Sequence, residues 1–318
     1  MGIRPSYLWG YARRASVQEV VEGLQLRLPD GRVLGYAEYG DPAGRPLVFL
    51  HGFPGSRLAG AVLDHEARLL DVRVIAPERP GLGLSSPQPG RSLLDFAQDV
   101  RALADTLEID RFAVLGESGG GPYALACAHE LAERLRCVAV VCGLGPVACP
   151  GATTGIACKE RLGYMIARHA PQLAGRALVP VARFARRAPQ QFLRITRWQL
   201  EEADREALAG TLGDLVAADF AEAFRQGGGS VGEDLALLFQ PWPFDPSAIR
   251  SPVLFFHGSC DRTVSSVVAQ ELARAVPASR LRLYERDGHF SLLTRNAQQI
   301  LKAMAAAAVD RHALDEHP

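Results

Sequence analysis

One short stretch limits the folds open to this chain more than any other: Phe112–Tyr123, reading FAVLGESGGGPY. An apolar run, Phe112 to Leu115, meets Gly116-Glu117-Ser118-Gly119-Gly120, and small residues suited to a helix follow through Ala124, Leu125 and Ala126. The pattern predicts a strand, a sharp turn centred on Ser118, and a helix entered directly from that turn. Such a turn strains the backbone at the serine, so its flanks must pack without side chains. Glycine two residues to either side meets that demand. A serine held there stands clear of the sheet, and the N–H groups opening the helix face any negative charge that develops beside it.

Strand and helix patterns alternate around that turn. Leu24–Leu28 alternates as a strand, Asp30-Gly31 is a hairpin turn signal, and Val33–Tyr39 returns. Pro46–Leu50 is a continuous apolar run that suits a strand covered on both faces, and Val72–Ala76 reads as the next strand. Helices are expected from about Leu58 to Leu70 and through Leu93, Phe96, Val100, Leu103 and Leu107, which recur at helical spacing. Cys137–Cys142, Val253–Phe256 and Arg280–Leu283 supply later strands; a last helix is expected from about Ala297 to Val309, with residues 310–318 as a frayed tail. This alternation predicts an α/β fold with a mostly parallel central sheet flanked by helices.

Residues 1–22 show no clean period and read as an N-terminal arm. From about Leu144 to Asp245 the alternation gives way to helical pattern punctuated by Pro171, Pro180 and Pro189. The expected organisation is core residues 1–143, an inserted helical cap over 144–245, and core residues 246–318. Gly227-Gly228-Gly229 reads as a loop or hinge within the cap.

A serine hydroxyl becomes a nucleophile when a base takes its proton and a third group orients that base. His289, in Arg286–Phe290 just past the last strand, can return over the sheet on a loop and is the candidate base. His257, at the end of the Val253 strand, reads as a supporting or packed residue, and His51 as shaping its own turn. Asp261, on the loop beyond that strand, is the candidate acid; Asp287 is the rival, read as a capping or surface carboxylate. The oxyanion needs two donors, assigned to the N–H groups of Gly119 and Phe53, since Pro54 has none. Glu117 is expected to point away from the hydroxyl and to find hydrogen bonds nearby. The aromatic candidates for a substrate pocket are Phe53, Tyr123, Phe192, Trp198, Trp242 and Phe244.

Composition narrows the partners. Lysine plus arginine equals aspartate plus glutamate, 35 each, and no long basic run suggests nucleic acid. The six cysteines lack metal or redox spacing; Cys127, Cys137 and Cys142 read as buried small hydrophobes. No metal and no cofactor is expected. The start lacks an apolar signal core and no run is long enough to span a bilayer, so the expectation is a cytoplasmic protein with a small-molecule substrate and no membrane partner. Nothing in the pattern fixes an oligomeric state.

HGFPGSR follows the third strand, ERPGLGLSS the fourth, GESGG forms the turn, and Ser118, Asp261 and His289 occur in that order. With these motifs the chain resembles the α/β-hydrolase superfamily over Leu24–Val309. The resemblance is to the capped branch that holds esterases, epoxide hydrolases, cofactor-free haloperoxidases and proline-releasing aminopeptidases. Epoxide hydrolases of this fold carry aspartate where Ser118 stands and two cap tyrosines, whereas this cap has Tyr164 alone. Proline-releasing peptidases usually have tryptophan where Gly119 stands. The resemblance implies a serine hydrolase that cleaves a small, largely apolar carboxylic ester or related acyl compound through an acyl-enzyme. The alternatives are an aminopeptidase or carbon–carbon bond hydrolase, and behind them a non-catalytic small-molecule-binding protein.

Overall fold

A hairpin opens the sheet, turned by Gly31 at a left-handed φ of 87° between the antiparallel strands β1 (Val21–Arg27) and β2 (Val33–Gly40). The structure is a computed structural model that describes residues 21–146, 149, 151–152, 154–156, 158–198 and 200–315, so the expected arm lies almost wholly outside it. The chain continues through β3 (Arg45–Leu50), β4 (Val72–Pro77), β5 (Phe112–Glu117), β6 (Leu135–Val141), β7 (Val253–Gly258) and β8 (Ser279–Tyr284). Their spatial order is β1-β2-β4-β3-β5-β6-β7-β8, with β2 antiparallel to β4 and all pairs from β4 to β8 parallel.

Side chains alternate across this sheet and build a core on each face. Val48, Leu50, Val114, Val140 and Phe255 pack toward α2 (Leu93–Thr106) and α3 (Gly121–Glu130). Leu47, Phe49, Leu115, Val141 and Phe256 pack toward α1 (Asp64–Leu69) on the other face. The helix expected over Leu58–Leu70 is instead a 3-10 segment, Arg57–Leu63, followed by α1. Ser56 caps it, and Gly60 packs so closely that an added Cβ would lie 2.8 Å from that of Ala76.

Between β6 and β7 come α4 (Cys158–His169), α5 (Pro171–Arg187), α6 (Pro189–Arg197), α7 (Glu202–Ala207), α8 (Thr211–Ala223) and α9 (Gly228–Leu238). This is the inserted helical cap. Pro171 and Pro189 open α5 and α6, where a missing N–H costs nothing, while Pro180 lies inside α5. The glycine run is the start of α9 rather than a free hinge: a Cβ on Gly228 would lie 2.9 Å from the Leu178 and Val179 backbone of α5.

The chain closes with α10 (Ser266–Ala275) and α11 (Ser291–Asp315). The last helix therefore begins six residues earlier than its pattern suggested and runs through most of the expected tail. Its start is stabilised from elsewhere in the chain, as described below. No helix among the described residues is long and apolar enough to cross a membrane.

Candidate active site

Ser118 sits where β5 ends and takes a φ of +51°, a left-handed conformation costly for a residue with a side chain. The flanking glycines make it possible: a Cβ on Gly116 would lie 2.4 Å from the Gly120 carbonyl oxygen, and one on Gly120 would lie 2.0 Å from that of Leu50. The strand-end turn then delivers the hydroxyl to the loop that follows β8. Ser118 Oγ lies 2.9 Å from His289 Nε2, and His289 Nδ1 lies 2.8 Å from Asp261 Oδ2.

With Nδ1–H donating to Asp261, Nε2 is left to accept the serine's proton. Asp261 is fixed by the Thr263 and Val264 N–H groups, which donate to Oδ1 at 2.8 and 2.9 Å. Burial opposes its ionisation, yet the His289 and His257 imidazoles hold the carboxyl well below the usual range. Burial likewise favours neutral His289, but Asp261 outweighs it, helped by Asp204 and Glu117, and the pKa is pushed up to about 9. Asp287 is turned away: it accepts from Asn296 Nδ2 at 2.8 Å and is buried rather than on the surface. His257 Nε2 lies 3.0 Å from the Val264 carbonyl and 3.3 Å from Asp261.

Cys142, His257 and Asp261 form a group with the donor types of a metal site. They do not fit one: Asp261 is already engaged by His289, His257 by Val264, and burial pushes the Cys142 thiol well above its usual range.

Opposite Ser118, the His51–Pro54 turn is held from behind by Arg79. Its guanidinium donates to the carbonyls of His51 at 2.6 Å and Gly52 at 2.8 Å. In a planar trans peptide the carbonyl and the next N–H point in opposite directions. Pinning the Gly52 carbonyl to Arg79 therefore turns the Phe53 N–H toward the serine side, where a Cβ on Gly119 would lie 3.1 Å from Phe53 N. Arg79 is itself fully buried, paired with Asp234 of α9, over the Tyr123 ring at 4.9 Å. Arg91 and the Tyr123 hydroxyl also donate to Asp234.

A cavity of about 70 Å³ opens beside Ser118 and His289. Phe53 and Pro54 form one wall, Phe290 and Thr294 another, and Leu212, Leu215, Val216, Asp219 and Phe220 roof it from a single face of α8. Glu117 also lies at this cavity and, against the expectation that it finds hydrogen bonds nearby, makes no side-chain hydrogen bond among the described residues. Burial raises its pKa, with His289 opposing. Burial pushes Asp219 up to about 7 against the Ser56 N–H and hydroxyl that donate to it.

Of the aromatic pocket candidates, only Phe53 lines this cavity. Tyr123 is fully buried under the turn, edge-on to Phe96. Phe192 meets Phe220 edge to face at 5.9 Å, one layer back. Trp198 is 80% exposed, and Trp242 stacks on Phe244, which rests on His129. The helical spacing of 212, 215, 216, 219 and 220 was readable, but nothing local distinguished that helix as the one above Ser118.

Four cap carboxylates grip the loops around Ser118 and His289. Asp204 of α7 accepts from the N–H groups of His289, Phe290 and Ser291 at 2.8, 3.0 and 2.9 Å, and so caps α11 from outside. Asp219 holds Ser56, Asp234 holds Arg79, and Glu222 meets Arg57, which also pairs with buried Glu78.

A family model described as the alpha/beta hydrolase fold matches residues 45–296. Among curated proteins, the chain is 35% identical over 116 residues to the dihydrolipoyllysine-residue acetyltransferase component of the acetoin cleaving system of Pseudomonas putida, covering 36% of this chain and 31% of that one. It is 33% identical over 111 residues to the proline iminopeptidase of Xanthomonas citri, covering 33% of this chain and 34% of that one. The chain thus spans about a third of the length of these relatives. The solved enol-lactonase of Burkholderia xenovorans LB400 superposes with a TM-score of 0.65 at 19% identity, covering 90% of this chain and 100% of that one, a likeness of fold.

Proposed function

The chain belongs to the α/β-hydrolase family, and from that premise we propose that it is a serine hydrolase cleaving a small, largely apolar carboxylic ester or related acyl compound. The observation that carries this reading is the hydrogen-bonded line Ser118–His289–Asp261 ending in a mainly apolar cavity. Ser118 Oγ attacks the acyl carbon while His289 Nε2 takes its proton. The Phe53 and Gly119 N–H groups receive the negative charge on the former carbonyl oxygen. His289 returns the proton to the departing alcohol, leaving the acyl group on Ser118, and a water activated by the same imidazole releases the acid.

Labelling with a small fluorophosphonate, and hydrolysis of activated esters of graded acyl length, test this directly. Labelling lost on His289 replacement supports the reading. A folded wild-type protein that neither labels nor hydrolyses refutes it and favours a binding role.

The electrostatics set a pH profile. An imidazolium cannot accept the serine's proton, so kcat/KM should rise about tenfold per unit as pH increases and level off near pH 9. A profile already flat above pH 6 would contradict it. Asp204→Asn removes a charge that favours the imidazolium while keeping an acceptor for the loop. The midpoint should fall by roughly half to one unit and kcat by about tenfold. An unmoved midpoint would reduce Asp204 to a structural cap.

A further inference from the structure

Ten large hydrophobic side chains stand exposed among the described residues, and eight of them fall between Leu162 and Trp198. They are ordered along the helices. Leu162, Met165 and Ile166 form a stripe on α4, Leu173, Pro180 and Phe184 one on the outward face of α5, and Ile195 and Trp198 one at the end of α6. The inward face of α5, Leu178, Val181, Ala182 and Ala185, is spent on the cap core.

The same segment is strongly basic. Cys158–Trp198 holds nine lysines and arginines against one glutamate, in a chain whose charges balance overall. They are spread at helical intervals rather than in a run, so a linear scan passes over them. Arg161, Arg176, Arg183, Arg186, Arg187 and Arg194 are exposed, and none forms an ion pair among the described residues.

We propose that α4, α5 and α6 form a docking surface for an anionic lipid bilayer. Helices that lie in a membrane interface carry this pairing, with apolar side chains entering the acyl boundary and arginines meeting the headgroups. Such contact needs no spanning helix. A two-fold contact with a second copy would set this basic face against itself. Residues 1–20 carry Arg4, Arg13 and Arg14 against Glu19, the same sign, and so do not complement it either. Nucleic acid would answer the arginines but leave the leucine, isoleucine and tryptophan stripes uncovered. Since α8, which roofs the cavity, packs against α5 and α6, the docked bilayer lies on the back of the cap.

Vesicle co-sedimentation of the full chain tests this. Vesicles of phosphatidylcholine with about one third phosphatidylglycerol should bind it at low salt, while phosphatidylcholine alone should not. Each basic side chain near such a surface contributes roughly fivefold, so Arg183→Gln with Arg187→Gln should weaken binding about 25-fold. Leu173→Ser with Ile195→Ser should weaken it at least tenfold, with melting temperature and hydrolysis of a soluble ester unchanged in both. Trp198 fluorescence, read as the difference from Trp198→Phe, should shift to the blue on binding; this reading requires neither double variant. No sedimentation with anionic vesicles overturns the proposal. So does binding that ignores the apolar substitutions, which assigns the face to a soluble polyanion, or a stable dimer broken by Ile195→Ser, which assigns it to a second copy.

Discussion

Ser118→Ala should reduce ester turnover by about a thousandfold or more while leaving the protein folded. The hydroxyl is the group that would form the acyl bond, and its hydrogen bond is the 2.9 Å contact with His289. Alanine meets the same left-handed φ of +51° with a Cβ of the same size, so the turn bears no new strain. Losing one hydrogen bond costs stability only about 1 kcal/mol. The outcome expected is a thermal melt close to wild type, no fluorophosphonate adduct by mass spectrometry, and residual hydrolysis near background. A folded variant that still turns over an activated ester at near the wild-type rate would place the nucleophile elsewhere.

The largest effect on stability is expected from Asp234→Ala, roughly 3–5 kcal/mol in urea unfolding. Asp234 is fully buried, and its carboxylate faces Arg79, Arg91 and the Tyr123 hydroxyl. Removing it strands two arginines whose side chains are almost wholly out of solvent. Burial alone would raise the Asp234 pKa, but Arg79 and Arg91 bring it down to about 2. A depressed carboxyl stabilises the fold above its unfolded pKa, so the Asp234 contribution should be full above about pH 4 and fade as pH falls toward 2. The variant should also be slow, because Arg79 pins the carbonyls of the turn that aims the Phe53 N–H. Unchanged unfolding in urea would mean that the two arginines find other partners, and the cluster would not join α9 to the core.

The sheet, the serine turn and the order of the triad were legible in the sequence because each is announced locally. A buried parallel strand reads as an apolar run, a strained turn needs glycines at fixed offsets, and His289 and Asp261 follow strands that end in turn residues. The start of α11 was misplaced for the converse reason. Its capping carboxylate is Asp204, 85 positions from His289, so the group that accepts from its first N–H groups does not lie beside it in sequence.

The sequence by itself determined a strand-borne serine with a histidine and an aspartate placed to reach it, since strand ends converge on one edge of a parallel sheet whatever the loops do. Only the tertiary structure decided which aromatics face the cavity and which carboxylates hold the machinery. Amphipathic helices look alike in sequence; neighbours determine which side is buried, so α8 and not Trp198 roofs Ser118. Nothing beside Asp204, Asp219, Glu222 or Asp234 in the sequence sets them apart from the other carboxylates of the cap helices; only the cap laid on the core does. There the donors they meet are the N–H groups, hydroxyl and guanidinium groups of loops far away along the chain.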